Sequence, residues 1–458
     1  MAWKEARPGY WQRPIGENEA MIKMIGDGGQ KFGKDAWSIA VTASFVARVD
    51  SKPLPQALRD GWKTLRFHHP SIASTASEDI LEYHTPSSLE LDQWADESFI
   101  LVDDDVSPDD IIARLTPRRF TTLYYLRDHA TVLLYLSHWR TDGIGAFHLL
   151  NSYFQAVIES LQEEPCELPW GEEATRLVPS VEEALKLPQI PSPNIIRATK
   201  QYVGTLANNI GALGTPYKSE TGIIPKGTRS TLLRFSQELT TELENRCRHL
   251  NISLQAAVHA AVTAAAYSLA DSTSTQKHHS STMRHSIRPY LPTPYDGVAG
   301  AAGIYTAGYI VKVPATQSWI ENAKQYEAEY SKGATPDLLC SRRQYALAMK
   351  DILKSMLPPD PPPSGLDISY IPDVQALLKP LYKKATASIE VRDIGIGIDV
   401  LSRYLYVFMW IFNGQLEFKL VYNEAFYDEV CVKSILTQVK EHLVSNLIPS
   451  HSSWQSII

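Results

Sequence analysis

The sequence predicts an α/β (α+β) fold built in two halves. Three observations predict it. The chain has 458 residues, more than one hydrophobic core organises, which suits two or three domains. Short β-rich apolar runs alternate with stretches of helical period. Each half runs strand, helix, strand, and a Gly-rich stretch separates the two.

In the first half, residues 53–66 (PLPQALRDGWKTLR) read as a helix. Pro53 and Pro55 suit its start, Leu58, Trp62 and Leu65 recur at helical spacing, and Pro70 stops it. FTTLYYLRDHATVLLYLSHW (120–139) reads as two strands around a hairpin at Arg127-Asp128-His129. The helix that follows carries Phe147, Leu150, Phe154, Val157, Ile158 and Leu161 on one face. Residues 163–195, rich in Glu and Pro, read as a surface connection. Residues 201–228 are Gly-rich, and the loosest part is GALGTPYKSETGIIPKG.

The second half begins with a strand, a helix, a short turn and an Ala-rich helix, over residues 230–270. Small residues in that last helix fit close packing under a sheet. PPDPPPSG (358–365) reads as a loop. LDISYIP, ASIEVRD and LYVFMWIFNGQLEFKLVYN read as strands, the last of them a hairpin around Asn413-Gly414. An amphipathic helix, DEVCVKSILTQVKEHLVSNLI, closes the chain.

Composition narrows the function classes. Net charge is −7 and no basic run reaches five residues, which argues against nucleic acid as a partner. Cys166, Cys247, Cys340 and Cys431 lie far apart with no C-x-x-C, so neither a disulfide framework nor a zinc site is expected. The N-terminus is polar and mixed in charge, unlike a signal peptide, and no run of ~18 apolar residues suggests a membrane span. The expected location is the cytoplasm, where the Asn251-Ile-Ser253 sequon goes unused.

One stretch carries chemistry: SHWRTDGIG (137–145), between the apolar run VLLYL and a helix. Histidine titrates nearest neutrality, so His138 at a strand end suits a general base that takes a proton from an alcohol or amine. Asp142 sits past a turn and is not expected to reach the same side. A buried carboxylate needs a cationic partner, so an ion pair shaping the loop is its expected role. Gly143 suits a φ closed to other residues and leaves room for a ligand, and Gly145 lets the next helix pack closely. The pattern is short, and an ordinary turn histidine with a turn glycine satisfies it equally.

Other polar groups point less far. There is no G-x-S-x-G elbow and no cysteine beside an obvious base, so no covalent nucleophile is suggested. His68-His69 and His278-His279 invite a metal, but adjacent strand residues face opposite ways and no carboxylate sits at ligand spacing, so none is expected. His148 falls at a core edge or on the surface. Asp103-Asp104-Asp105 reads as a solvated loop or a helix start.

Four stretches together resemble one superfamily: chloramphenicol acetyltransferase, the condensation domains of peptide synthetases and the BAHD acyltransferases. WKTLRFHHPSIAS (62–74) resembles its first helix and turn. SHWRTDGIG carries its catalytic H-x-x-x-D-G. STMRHSIRPYLPTPYDG (281–297) resembles the region holding an Arg that pairs with the motif Asp. WIFNGQLEFKLVYNEAFYDE (410–429) resembles the closing hairpin of the fungal branch. The nearest look is to trichothecene 15-O-acetyltransferase-type enzymes, and the resemblance spans nearly the whole chain in order. Two departures stand out. Asp393-Ile-Gly-Ile-Gly397 keeps only D-x-G-x-G of the BAHD motif D-F-G-W-G. Ser137 stands where condensation domains often have a second His, which favours a stand-alone acyltransferase.

The resemblance implies two chloramphenicol-acetyltransferase-like subdomains around a central tunnel, each a mixed sheet flanked by helices. Residues 1–195 would form the first, 196–228 the linker or crossover and 229–458 the second. His138 would be the base in direct acyl transfer from acetyl-CoA or another acyl-CoA, a co-substrate rather than a bound cofactor, to an alcohol of a fungal terpenoid or polyketide. Asp142 would pair with Arg288, with Arg284 and Arg392 as alternatives. Ser369 would face the tunnel as an oxyanion donor, although a backbone-bonded strand serine fits equally. Tyr370 and Trp410 would line the acceptor pocket, although aromatic strand residues also serve as plain core. A monomer suffices, with no nucleic acid or membrane partner. Two other readings stay open: the fold repurposed for cyclisation or isomerisation, and a metabolite-binding protein without turnover.

Overall fold

A six-stranded sheet forms the centre of the computed structural model, in the order Leu381–Lys384, Ala387–Ile398, Ile39–Arg48, Thr131–Leu136, Thr122–Leu126, Phe99–Val102. The structure describes residues 2–48, 52–161, 168–218, 222–270, 278–355, 362–371, 373–384 and 387–448. Neighbouring strands run antiparallel except the last pair, which is parallel. Thr131–Leu136 is buried at every position, as expected of an apolar run inside a sheet covered on both faces.

Two strands of this sheet come from the second half of the sequence. Ala387–Ile398 pairs with Ile39–Arg48, and a bulge between Val391 and Asp393 shifts its phase. The shift sends Ile389, Val391, Ile394 and Ile396 all into the core that also holds Val41, Ala43 and Phe45. It also turns Asp393, Gly395 and Gly397 to the opposite face. A Cβ on Gly395 would lie 2.7 Å from Thr42 Oγ1, and one on Gly397 would lie 3.2 Å from Val421 Cγ2. The spacing D-x-G-x-G therefore lets the second sheet approach the first.

The second sheet has the order Ser364–Tyr370, Arg403–Phe412, Gln415–Asn423, Thr228–Arg234. Its central strand divides its side chains with period two. Leu405, Val407 and Met409 enter a core with the helices Gln237–His249, Leu254–Leu269 and Glu429–Leu447, while Tyr406, Phe408, Trp410 and Phe412 join the first core. The Ala-rich helix is the buried one, with Ala256, Ala257, Ala260, Ala261 and Ala265 inaccessible. Both large sheets are mixed and both are flanked by helices, the α/β architecture expected. Among the described residues, no single helix is long and apolar enough to cross a membrane.

Local expectations hold closely in several places. The helix expected at 53–66 spans Leu54–His68 with Pro53 at its cap. Its Gly61 has no room for a Cβ against Val157 of the helix Gly143–Ser160, so the two helices cross closely over the sheet. Asn413 and Gly414 both take positive φ, 49° and 72°, as a two-residue hairpin requires.

Others differ. Residues 168–187 are packed rather than a surface connection. Ala174, Val178 and Val181 are buried, Glu173 accepts the Tyr83 hydroxyl, and Glu182 accepts the Asn18 amide. Both glutamates bond to partners far away in the sequence, which composition does not reveal. The start of the expected linker is a helix, Pro193–Gly204, whose Ser192 cap and buried Ala198 and Tyr202 give it a packing face. His68 and His69 end a helix rather than lying on a strand, so the facing argument does not apply to them. His278 and His279 do lie on a strand, with His279 buried and His278 partly exposed. Cys166 and residues 358–361 of the Pro-rich stretch lie outside the described residues.

Candidate active site

The motif begins where Thr131–Leu136 leaves the sheet. His138 opens a single 3-10 turn, His138–Arg140, and Asp142 caps the helix Gly143–Ser160 by accepting the Gly145 amide at 2.8 Å. The turn brings the Thr141 carbonyl back to His138 Nδ1, at 2.9 Å. A carbonyl only accepts, so Nδ1 carries the proton and Nε2 keeps its lone pair. Nε2 has no partner among the described residues, and the side chain is half-buried. The geometry thus prepares one basic nitrogen.

Asp142 lies in a different network. Arg288 Nη2 reaches both carboxylate oxygens, at 3.1 and 3.0 Å, and the Tyr305 amide donates at 2.8 Å. Arg288 also donates to the carbonyls of Gly300 and Gly303. The pair is buried and fastens the motif to the 298–305 turn of the second half. The Thr141 hydroxyl adds a bond to the Ala301 carbonyl. Neither alternative arginine reaches Asp142: Arg284 pairs with Asp367 at 2.8 Å and Arg392 with Glu390 on the surface.

The motif glycines are small for steric reasons. Neither has positive φ, so the expected conformational role of Gly143 is corrected. A Cβ on Gly143 would meet Ile371 Cδ1 at 2.8 Å and Ile396 Cδ1 at 3.2 Å. Gly145 faces Thr141, the Ala301 carbonyl and Arg288, where a Cβ has no space.

The second-half candidates separate by strand period. Asp367, Ser369 and Ile371 alternate onto the face that meets the first half, and Ile371 lies against Gly143. Ser369 is half-buried and its hydroxyl has no hydrogen bond among the described residues, unlike a backbone-bonded serine. Tyr370 points the other way, against the second core. A one-residue step reverses the face, so Tyr370 does not share a pocket with Ser369. Trp410 is wholly buried in the first core and is not a pocket wall.

The other polar groups sort plainly. His148 is half-buried on the motif helix, and burial pushes its pKa down to about 4. The Asp103–Asp105 stretch is a loop whose ends pair with Arg127 and His129 of the hairpin. Among the described residues no group of three metal-ligating side chains occurs. A cavity of about 310 Å³ lies between the two sheets, lined by Thr42, Ser44, Thr131, Ser230 and Lys419 among others. It sits at the far end of Thr131–Leu136 from His138 and includes no motif residue.

Sequence reasoning missed two contributors: Thr141 and Tyr305. Thr141 lies inside the motif at a variable position. Tyr305 ends the run GVAGAAGIY, whose small residues are the one available signal of a tight turn.

No protein-family model matches the chain. It is 42% identical over 452 residues to acetyltransferase pigO of Monascus ruber, covering 98% of each. It is 25% identical over 451 residues to O-acetyltransferase pigM of the same organism, covering 98% of this chain and 87% of that one. The solved structure of TRI3 trichothecene 15-O-acetyltransferase from Fusarium sporotrichioides superposes with a TM-score of 0.81 at 15% identity, covering 96% of both chains. At that identity the likeness speaks for the fold, that of the chloramphenicol acetyltransferase and condensation-domain superfamily. With one relative so similar along nearly its full length, the chain belongs to the fungal acetyltransferase family of pigO and is an acyltransferase of secondary metabolism.

Proposed function

We propose that the protein transfers an acetyl group from acetyl-CoA to a hydroxyl of a terpenoid or polyketide, with His138 as general base. One observation carries this reading: Nδ1 of His138 is committed to Thr141 and Nε2 is left open. Nε2 takes the proton from the acceptor hydroxyl as its oxygen attacks the thioester carbonyl carbon. The tetrahedral intermediate collapses, the C–S bond breaks, and the leaving thiolate takes the proton back from the imidazolium. No acyl-enzyme is needed. The unpartnered Ser369 hydroxyl, on the motif-facing side of its strand, supports a role as oxyanion donor. Asp142 and Arg288 act as positioning residues that hold the turn. The protein is expected to work as a cytoplasmic monomer, its two halves enclosing a tunnel that admits donor and acceptor from opposite sides.

The test is mass spectrometry of wild type and His138→Ala with a panel of hydroxylated polyketides and terpenoids, with and without acetyl-CoA. A product heavier by one acetyl group, requiring both acetyl-CoA and His138, is expected. A product of unchanged mass formed without donor would replace transfer by cyclisation or isomerisation on the same fold.

A further inference from the structure

We infer that the cavity between the two sheets binds a small monocarboxylic acid, held by the Lys419 ammonium and the hydroxyls of Thr42 and Ser44, at a site separate from the motif. The inference does not depend on which group is the base. Strand register builds the cavity. On the first sheet Thr42 pairs with Gly395, and Ser44 pairs with Asp393 on one side and Thr131 on the other. On the second sheet Lys419 pairs with Leu232. The sheets approach closely at Gly397 and Val421, and farther along the strands these residues line a cavity of about 310 Å³. That volume is at the small end of ligand pockets.

Three polar groups open onto this cavity without a partner. Lys419 Nζ reaches over the bare Cα of Gly395, where a Cβ would lie 3.4 Å from it and 2.7 Å from Thr42 Oγ1. Among the described residues Nζ makes no hydrogen bond or ion pair, and the hydroxyls of Thr42 and Ser44 make no hydrogen bond. The other polar groups of the lining are engaged elsewhere. Asp109 accepts the Ser230 hydroxyl at 2.7 Å and the Ser230 amide at 3.1 Å, Asp393 accepts Arg234 at 2.7 Å, and Thr131 donates to the His129 carbonyl. Burial draws the Lys419 pKa below the usual lysine range, against the pull of Asp109 and Asp393. An ammonium held between two sheets is stabilised most by an anion that accepts its N–H groups directly. The two hydroxyls can donate to the same anion. Asp109 and Asp393 also line the cavity and would repel a dianion such as phosphate, so a single negative charge fits best. Pro108 and Leu232 offer an apolar wall for a short chain. A carboxylate on a few carbons meets each of these conditions.

The probes are pentanoate, its neutral counterpart pentanamide and inorganic phosphate, and saturation-transfer NMR titrations of the full chain read their affinities. Pentanoate should bind wild type, and pentanamide and phosphate should each bind about tenfold more weakly, since a hydrogen bond between charged partners is the stronger one. Lys419→Met keeps an unbranched side chain and removes the charge, and should weaken pentanoate about tenfold or more. Thr42→Val with Ser44→Ala should weaken it about fivefold and serves where Lys419→Met does not fold. Saturating acetyl-CoA should leave pentanoate bound to wild type. The inference is overturned if pentanoate fails to bind, or binds Lys419→Met as tightly as wild type, or binds the double variant unchanged where that variant alone folds. Equal affinity for pentanamide would overturn the role of the charge, and tighter binding of phosphate the choice of a monoanion. Displacement of pentanoate by acetyl-CoA would make the cavity part of the donor site and overturn its separateness.

Discussion

His138 opens the turn after a central strand, His259 lies on the buried Ala-rich helix Leu254–Leu269, and the two differ by one nitrogen. His259 is fully buried, with Nδ1 bonded to the Tyr330 hydroxyl and Nε2 to Ser281 Oγ, both at 2.8 Å, and its ring stacks on Tyr326. Ser281 in turn donates to Asp367. The residue types of a hydrolytic triad are present, yet the serine sits in the middle and every valence is used. His138 has one nitrogen bonded and one open. Reactivity here follows from the valence left over, not from the kinds of residue gathered.

The network around His259 does other work. The strand His278–Ser286 lies beside Ser364–Tyr370 without joining its ladder, and side chains bridge the gap. His279 Nε2 bonds to the Leu366 carbonyl, and Asp367 accepts from Ser281, the Thr282 amide and Arg284. Burial opposes the charge on Asp367, but Arg284 and the hydrogen bonds hold its pKa at about 2. The network replaces a missing row of backbone hydrogen bonds.

Exchanging the losses of the two histidines tests the comparison most sharply. His138→Ala should lower acetyl transfer about 10²–10⁴-fold while leaving the urea midpoint nearly unchanged. His259→Ala should do the reverse, costing about 2–4 kcal/mol of stability because Tyr330 and Ser281 lose their partner inside the core. Steady-state rates and urea titrations of the two variants give both numbers; matching losses in both would erase the distinction. Next in size, Arg288→Ala leaves Asp142 charged and buried and should cost about 3–5 kcal/mol, with activity falling as the motif turn loosens. A variant as stable as wild type would show that the pair does not fasten the halves.

Smaller effects refine the picture. Ser369→Ala should reduce turnover about 10²-fold with no loss of stability, since its hydroxyl has no partner to lose. Tyr370→Phe, one position on and facing the second core, should change turnover little. Equal effects from both would mean that strand period does not separate them. The smallest expected effect concerns pH. Burial lowers the pKa of His259 and His279, and that of His69 to about 3, so each stays neutral in the folded protein. Below about pH 6.5 the unfolded chain binds protons that the folded chain does not. The stability these residues contribute is therefore complete above that pH and falls by about 1.4 kcal/mol per pH unit for each histidine as pH drops toward its folded value. Urea titrations at two acidic pH values should show His259→Gln with a shallower slope than wild type.

Much of the fold was legible because its causes are local. The period of Phe147, Leu150 and Phe154 marks a buried helix face, Asn413-Gly414 marks a hairpin, and the run VLLYL marks a central strand. The packed stretch at 168–187 was not legible, because Glu173 and Glu182 look exposed until their partners Tyr83 and Asn18 are known. Tyr370 and Trp410 were misplaced as pocket residues because composition shows that an aromatic is present but not which face of the sheet it takes.

The sequence by itself determined the α/β order, the place of His138 at a strand end and the cap that Asp142 makes on its helix, since these depend on residues within a turn or two of one another. Tertiary structure alone decided that Arg288 rather than Arg284 meets Asp142 and that a strand from residues 387–398 enters the first sheet. Arg288 is 146 positions from Asp142. No local period or propensity reports on such partners; they are chosen when the register of the strands and the contact of the two sheets bring distant side chains into one buried volume.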